Sequence, residues 1–388
     1  MKKKKICIVI NSRANYARIK SVLRAINNNN NLKLQLILAS SAILDIYGDV
    51  RPLLAKEKIK ITKQLYTIIQ GGNLETMAKS TGLLLIELSS IFSEIKPDFV
   101  FTIADRHETL ATAIAASYMN IPLIHTQGGE LTGNIDESVR HAITKLANIH
   151  FPSTLLAKKN IIQMGEDRKN IFLTGCPSID LAKEYTKKKY SFFPRNFEKS
   201  GIGYNVDLNK KYLVVMFHPV THEYEKNKNT IKNLLSVIKK IGLQTIWMWP
   251  NIDAGTDIVS KEIRKFRELN KSSKIKFCKN FAPEEFLYII DHCSCFVGNS
   301  SSAIREGSFL GIPCVNIGKR QNQRERKINI IDVNNEKFNI EKSIKFQITQ
   351  KRYKSFKTYG NGDAAKKMIN YILKLDKVNL EKLFKKII

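Results

Sequence analysis

The sequence predicts an α/β protein of two domains, each a mostly parallel sheet covered by helices. Three observations carry that expectation. Apolar runs of strand length alternate with segments of helical period along most of the chain, which is the pattern of βαβ units. The alternation fades once, over Lys187–Lys210, where Gly, Pro and Lys take over, and then restarts. The 388 residues, 43% of them hydrophobic, are enough to bury a full core in each half.

In the first half the expected strands are Lys5–Ile10, Leu34–Ala39, Phe99–Ile103, Pro122–His125, Ile149–Pro152 and Ile171–Thr174. Helices lie between them. Ile19, Val22, Leu23 and Ile26 follow the i, i+3, i+4, i+7 rule, so they share one buried face. The Ala-rich stretch "ETLATAIAASYMN" predicts a tightly packed helix. The first domain is therefore read as residues 1–186 and the linker as 187–210. In the second domain, residues 211–362, strands are expected at Tyr212–Phe217, Thr245–Trp249, Ile275–Cys278, Cys295–Val297 and Cys314–Ile317. A helix over Ile231–Ile241 gathers Ile231, Leu234, Leu235, Ile238 and Ile241 on one stripe. The segment 363–388 starts as a helix, with Asp363 at the N-cap and Ala365, Met368, Ile369 and Ile372 on one face.

Composition removes several classes. No apolar run approaches the roughly 20 residues of a membrane span. The start "MKKKKICIVINSR" has a basic run, but the apolar stretch Ile6–Ile10 is too short for a signal peptide and no small-residue cleavage site follows. Six scattered cysteines (Cys7, Cys176, Cys278, Cys293, Cys295, Cys314) lack zinc-ligand spacing and fit reduced thiols in the cytoplasm. The net charge of +29 is spread along the whole chain. Lys- and Asn-rich stretches such as "INNNNNLKLQLIL" assign it to compositional bias, with attraction of an anionic ligand as a by-product. Nucleic acid and membrane are not expected partners.

In open parallel sheets, ligands bind beyond the carboxyl ends of the strands. Five polar clusters fall at such ends: "NSRANY" with Arg13; "ADRHET" with Asp105, Arg106 and His107; "HTQGGELTGNIDESVRH"; "HPVTHE" with His218 and His222; and "GNSSSAIREG". Each alone reads equally well as an ordinary capped loop. Five on the same edge of two sheets predict a shared cleft.

The last cluster has the clearest mechanism. Ser300, Ser301 and Ser302 form a small polar turn that opens a helix, where backbone N–H groups, hydroxyls and the helix dipole favour an anion such as a diphosphate. Glu306, one turn on, suits a ribose diol; a plain Ser N-cap with a solvated Glu306 is the alternative. Arg320, Arg324 and Arg326 in "GKRQNQRER" add positive charge for phosphate. Neither a Walker loop nor a GxGxxG fingerprint occurs.

"SRANY", "DRHET", "HTQGGELTGNIDESVRHAITKLA", "GNSSSAIREGSFLGIP" and "GKRQNQRER", in this order from about residue 5 to about 375, resemble the UDP-N-acetylglucosamine 2-epimerases. The resemblance is strongest to the hydrolysing branch that supplies N-acetylmannosamine-type sugars for sialic and legionaminic acid synthesis. It implies the GT-B fold, two Rossmann-like domains facing an interdomain cleft, with the C-terminal helix packing back on the first domain. The implied reaction expels UDP from C1 of the sugar and inverts C2. It needs no metal, nicotinamide or other cofactor, and related enzymes suggest a homodimer or homotetramer.

The resemblance also distributes roles. The family's acidic positions fall on Asp105, Gln127 and Asp136. Many relatives have Glu where this chain has Gln127, which cannot shuttle a proton, so Asp105 and Asp136 are the main acid/base candidates and Glu130 a substitute carboxylate. Arg140, one helical turn after Asp136, is expected to pair with that carboxylate or to bind phosphate. His218 matches the histidine beside the leaving diphosphate, and Arg13, Ser301, Ser302 and Glu306 match nucleotide contacts. A GT-B glycosyltransferase, a non-hydrolysing epimerase and a basic nucleic-acid-binding protein are the rival readings. UDP-N-acetylglucosamine, its 2,4-diacetamido-6-deoxy relative and a GDP-linked analogue all stay open as substrates.

Overall fold

The computed structural model describes residues 3–133, 135–188, 193–220, 224–250, 255–375 and 378–385, with the side chains of 224 and 225 outside that set. His222 lies outside the described residues. The chain divides into two compact units. The first holds the residues through Leu131, Ile135–Leu181 and the segment from Tyr359 onward; the second holds Ala182–Thr358 with Thr132 and Gly133.

The first unit is built on six parallel strands: β1 (Lys4–Ile10), β2 (Leu32–Ala39), β3 (Lys63–Leu65), β4 (Phe99–Ile103), β5 (Leu123–Thr126) and β6 (Ile149–Phe151). Their order is β3-β2-β1-β4-β5-β6, the Rossmann arrangement, whose direction of travel reverses between β1 and β4. Both faces are covered, and alternation along β1 shows it. Ile6, Ile8 and Ile10 pack with Ile19, Val22, Leu23 and Ile26, whereas Cys7 and Val9 join Leu84, Leu88, Phe92 and the Ala-rich helix His107–Tyr118 on the other side. Deleting one such buried side chain to Ala costs about 2–5 kcal/mol.

The C-terminal helix Ala364–Lys374 buries Ala365, Met368, Ile369 and Ile372 in the core that contains Ile6 and Ile19. Asp363 does not cap it with its side chain. Asp180, on the helix Pro177–Lys187, does so instead: its two carboxylate oxygens accept from the N–H groups of Ala364 and Ala365, each at 2.8 Å. A cap supplied from 184 residues away has no local sequence signature.

The second unit repeats the plan with β8 (Tyr212–Met216), β9 (Gln244–Met248), β10 (Ile275–Cys278), β11 (Cys295–Gly298), β12 (Cys314–Ile317) and β13 (Ile330–Val333), after a short β7 (Gly201–Gly203). The order is β13-β12-β11-β8-β9-β10-β7, parallel throughout except for β7 on β10. The stripe of Ile231, Leu234, Leu235 and Ile238 is buried against Leu213, Val215 and Trp247.

Two local expectations are corrected. Part of the expected linker is the edge strand β7, which pairs with Phe277 and its neighbours; its Gly-Ile-Gly sequence hides it, because Gly201 and Gly203 sit too close to the β10 backbone for any Cβ. Ile171–Thr174 is not a strand. Only Ile171 bridges to His150, since β6 ends at Phe151 and Pro152 has no N–H to extend the ladder.

Candidate active site

The ends of β4 and β5 carry the candidate residues of the first unit. Register pairs Ile103 with Thr126, so the two strands finish level and their next residues leave the sheet side by side. Both exits use a left-handed non-glycine residue, Ala104 at φ 62° and Gln127 at φ 64°. Such backbone costs energy and clusters at sites held by their surroundings.

His125, fully buried on β5, does the holding. Its Nε2–H donates to the Ala104 carbonyl at 2.9 Å, and its Nδ1 lies 3.2 Å from the Thr144 hydroxyl. Burial pushes this imidazole down to about 3, so it is neutral and fixed in one tautomer. Gly128 is required beside it: a Cβ there would fall 2.8 Å from Thr144 Oγ1 and 2.9 Å from His125 Nδ1. Gly129 (φ 74°) has no room either, and its carbonyl accepts from Asn160 Nδ2 at 2.8 Å.

Asp105 follows Ala104 and meets Arg140, on the helix Ile135–Leu146. Arg140 Nε donates to Asp105 Oδ2 at 3.1 Å, its Nη2 bonds the same oxygen, and its Nη1 bonds the Glu130 carbonyl. Arg18 Nη1 stands 4.0 Å from the other carboxylate oxygen. The guanidinium is completely buried. Arg140 therefore clamps Asp105 to the loop carrying Glu130. The contact with Asp105 has no local signature, because sequence spacing shows only neighbours such as Asp136, one helical turn away. Asp136 is half-buried in the first turn of the same helix, and Glu130 is buried.

Gln127 is fully buried and donates from Nε2 to Cys176 Sγ at 3.3 Å, while its Oε1 has no hydrogen-bond partner. In "DRHET" the structure adds Glu108, which sequence reasoning passed over. It is buried and takes a bidentate pair from Arg106, Nε and Nη2 each at 3.0 Å. Burial alone would raise its carboxyl, but the charges of Arg106 and His107 keep it below the usual range. A carboxylate two residues after an arginine was the available signal. Arg13 opens the helix Arg13–Asn27 after β1, capped by Ser12, with Nη1 3.4 Å from the Asp49 carbonyl.

In the second unit, Asn299 is the organiser, also unforeseen. Its Oδ1 accepts from the His218 N–H and its Nδ2 donates to the His218 carbonyl, both at 2.8 Å. Its own carbonyl accepts from Arg320 Nη1 and Gln321 Nε2, each at 3.2 Å. Arg324 Nε donates to Gln321 Oε1 at 2.7 Å. One residue after β11 thus joins the end of β8, which carries the buried His218, to the arginine loop after β12. Gly298 permits this: at φ 137°, its Cβ would lie 2.0 Å from the Met216 carbonyl.

Ser300 caps the next helix through a 3.3 Å bond from the Ser302 N–H. That helix is shorter than the sequence implied. Ser301–Ile304 stops at Arg305 (ψ −72°), and Glu306–Leu310 follows as a separate piece, so any dipole contribution is small. Ser300 and Ser301 are buried and Ser302 is half-buried. Glu306 is buried rather than solvated, and its Oε2 has no hydrogen-bond partner.

All six cysteines are free and buried. Among the described residues no helix is long and apolar enough to cross a membrane.

Comparison with known proteins gives this geometry a family. The profile described as UDP-N-acetylglucosamine 2-epimerase matches residues 24–373. The chain is 33% identical over 334 residues to the GDP/UDP-N,N'-diacetylbacillosamine 2-epimerase (hydrolyzing) of Campylobacter jejuni, covering 86% of this chain and 85% of that one. It is 30% identical over 360 residues to a UDP-N-acetylglucosamine 2-epimerase of Neisseria meningitidis, covering 93% and 92%. The crystal structure of Methanocaldococcus jannaschii UDP-GlcNAc 2-epimerase in complex with UDP-GlcNAc and UDP superposes with a TM-score of 0.78 at 20% identity, over 95% of this chain and 99% of that one. The two Rossmann-like units are those of the GT-B fold. The chain belongs to the UDP-N-acetylglucosamine 2-epimerase family.

Proposed function

We propose that this enzyme is a hydrolysing UDP-N-acetylglucosamine 2-epimerase that releases UDP and N-acetylmannosamine, a precursor for nonulosonic acids. The observation that carries the reading is the Asp105–Arg140 clamp at the level ends of β4 and β5, which fixes one carboxylate and draws the Glu130 loop to it. A buried ion pair is a weak source of stability, so its presence at a ligand-binding edge argues for chemistry.

The C2 proton of the sugar is not next to a carbonyl and is barely acidic until the C1–O bond begins to break. Carboxylates stabilise the oxocarbenium-like state that makes both events easier. Anti elimination yields 2-acetamidoglucal; water then adds at C1 and a proton returns to the opposite face of C2. Two proton transfers on opposite faces need two acid/base groups, and Asp105 and Asp136 are assigned to them, with Glu130 as a further carboxylate. Gln127 contributes hydrogen bonds, not a proton. His218, held by Asn299, serves the departing diphosphate. Arg13, Ser300, Ser301, Ser302, Arg320, Arg324 and Glu306 bind the nucleotide, while Arg140 positions Asp105. No metal or other cofactor enters this scheme, and the enzyme is assigned to the cytoplasm as a homodimer or homotetramer.

The second reading is the same reaction on UDP-2,4-diacetamido-2,4,6-trideoxyglucose, favoured by the name and 33% identity of the Campylobacter jejuni relative. The two separate when the purified enzyme is given each sugar nucleotide and the products are resolved by anion exchange. UDP and N-acetylmannosamine from UDP-N-acetylglucosamine support the first reading. Turnover of the diacetamido substrate alone moves the assignment to the second, and UDP-N-acetylmannosamine with UDP retained contradicts hydrolysis.

A further inference from the structure

The helix Ile135–Leu146 carries both Asp136 and Arg140, and its last turn is held from an unexpected place. Lys382, from the segment after the C-terminal helix, reaches into that turn. Its ammonium donates to the carbonyls of Thr144 at 3.3 Å and Lys145 at 2.6 Å, and also to that of Ala147. These are carbonyls that a helix end leaves without partners, and a cation there also meets the negative end of the helix dipole. The same ammonium lies 2.7 Å from Glu166 Oε2. Glu166 is buried and also bonds Lys145 at 2.6 Å and His150 at 3.1 Å.

Further contacts seat the segment. The Phe384 ring lies against Gly165, where a Cβ would fall 2.5 Å from the ring, and Lys145 sits 5.4 Å from the ring centroid. The Lys385 N–H donates to the Gly165 carbonyl at 3.0 Å, and Asn148 Nδ2 lies 3.4 Å from the Asn379 carbonyl.

The contacts continue inward. Thr144, whose carbonyl Lys382 holds, presents its hydroxyl to His125 Nδ1, and His125 Nε2 holds the Ala104 carbonyl next to Asp105. One turn back on the same helix, Arg140 clamps Asp105 and the Glu130 carbonyl.

We propose that residues 378–385 form a strap that positions the catalytic carboxylates, with Lys382 as its positioning residue acting through Thr144 and Arg140. The strap touches none of the reacting groups. Its effect is to fix the axial and rotational setting of one helix. This inference rests on the epimerase reading of the site, and its test separates the two.

The test uses the full chain with Lys382→Met, which keeps the stem and removes the cation, and Lys382→Arg, which keeps a cation able to bond carbonyls. Phe384→Ala loosens the strap without altering charge and serves if Lys382→Met fails to fold. Lys382→Met is expected to lower kcat about tenfold, with KM within about twofold, because small misplacements of catalytic groups are costly. Lys382→Arg restores most of the loss. Amide hydrogen exchange quickens at residues 125–130 and 140–147 and stays unchanged in the second unit. An unchanged kcat in Lys382→Met overturns the proposal even if its melting temperature falls, since the strap then only stabilises. If the unmodified enzyme turns over no UDP-sugar, the functional reading fails instead, and exchange decides this one: unchanged protection at residues 125–130 and 140 overturns it.

Discussion

Arg140 and Asp105, 35 residues apart in sequence, share a buried ion pair in which one carboxylate oxygen receives both Nε and Nη2 of the guanidinium. Removing one partner leaves an uncompensated buried charge, whereas the intact pair adds little net stability. Arg140→Met should therefore destabilise the fold by about 3–5 kcal/mol, measured by urea unfolding. Arg140→Met with Asp105→Leu should recover a large part of that loss. A single variant as stable as the unmodified protein contradicts the buried clamp.

The acids and the neighbouring amide should behave differently. Asp105→Asn and Asp136→Asn should each lower kcat by about 10²–10⁴, the usual worth of a positioned acid or base. Gln127→Leu should cost much less in kcat. It should leave the thermal midpoint unchanged or higher, because the buried Oε1 lacking a partner is removed. Steady-state UDP release measures all three. Equal losses for Gln127→Leu and Asp105→Asn would give the amide a direct part in the chemistry.

Asn299→Leu tests the organiser of the second unit. It leaves the His218 N–H and carbonyl without their 2.8 Å partners, at a cost of about 1–3 kcal/mol. Both His218 and the loop that carries Arg320 lose their anchor. KM for the sugar nucleotide should rise and kcat fall together, and UDP binding by calorimetry should weaken. Unaltered UDP affinity would remove Asn299 from the nucleotide site.

Acid should destabilise the first unit over two overlapping windows. Burial holds His125 at about 3, against 6.5 for an ordinary imidazole. As pH falls from about 6.5 towards 3, the unfolded chain takes up a proton that the fold refuses, so stability is lost. Burial would raise Glu166, but hydrogen bonds from His150, Lys145 and Lys382 outweigh it and hold the carboxyl at about 2, against an ordinary 4.5. Its contribution is complete above about pH 4.5 and is lost as pH falls towards 2. Each group can add a slope of up to about 1.4 kcal/mol per pH unit. Urea unfolding between pH 7.5 and 3.5 should show the decline, and His125→Asn should flatten its upper part.

The fold was largely legible because buried parallel strands advertise themselves. Phe99–Ile103, Ile275–Cys278 and Cys314–Ile317 have the same bounds in sequence and structure. Short edge strands do not: Lys63–Leu65 and Gly201–Gly203 carry no apolar run, and their pairing depends on what lies beside them. At the candidate site, sequence located the loops and their polar residues but not who holds whom. The spacing of Arg140 to Asp136 is visible in the helix, while its contact with Asp105 depends on the level ends of β4 and β5. Asn299, Asp180 and Lys382 act across 81, 184 and 237 residues, so no local pattern encodes them. The left-handed Ala104 and Gln127 have no signature either, since glycine would be the expected residue there.

The central claim is loss of the C2 proton during hydrolytic epimerisation, and proton NMR of turnover in D2O tests it most directly. With UDP-N-acetylglucosamine, the account predicts free UDP and N-acetylmannosamine carrying deuterium at C2. Free UDP with unlabelled N-acetylglucosamine would contradict it and make the protein a slow hydrolase of an intact sugar donor.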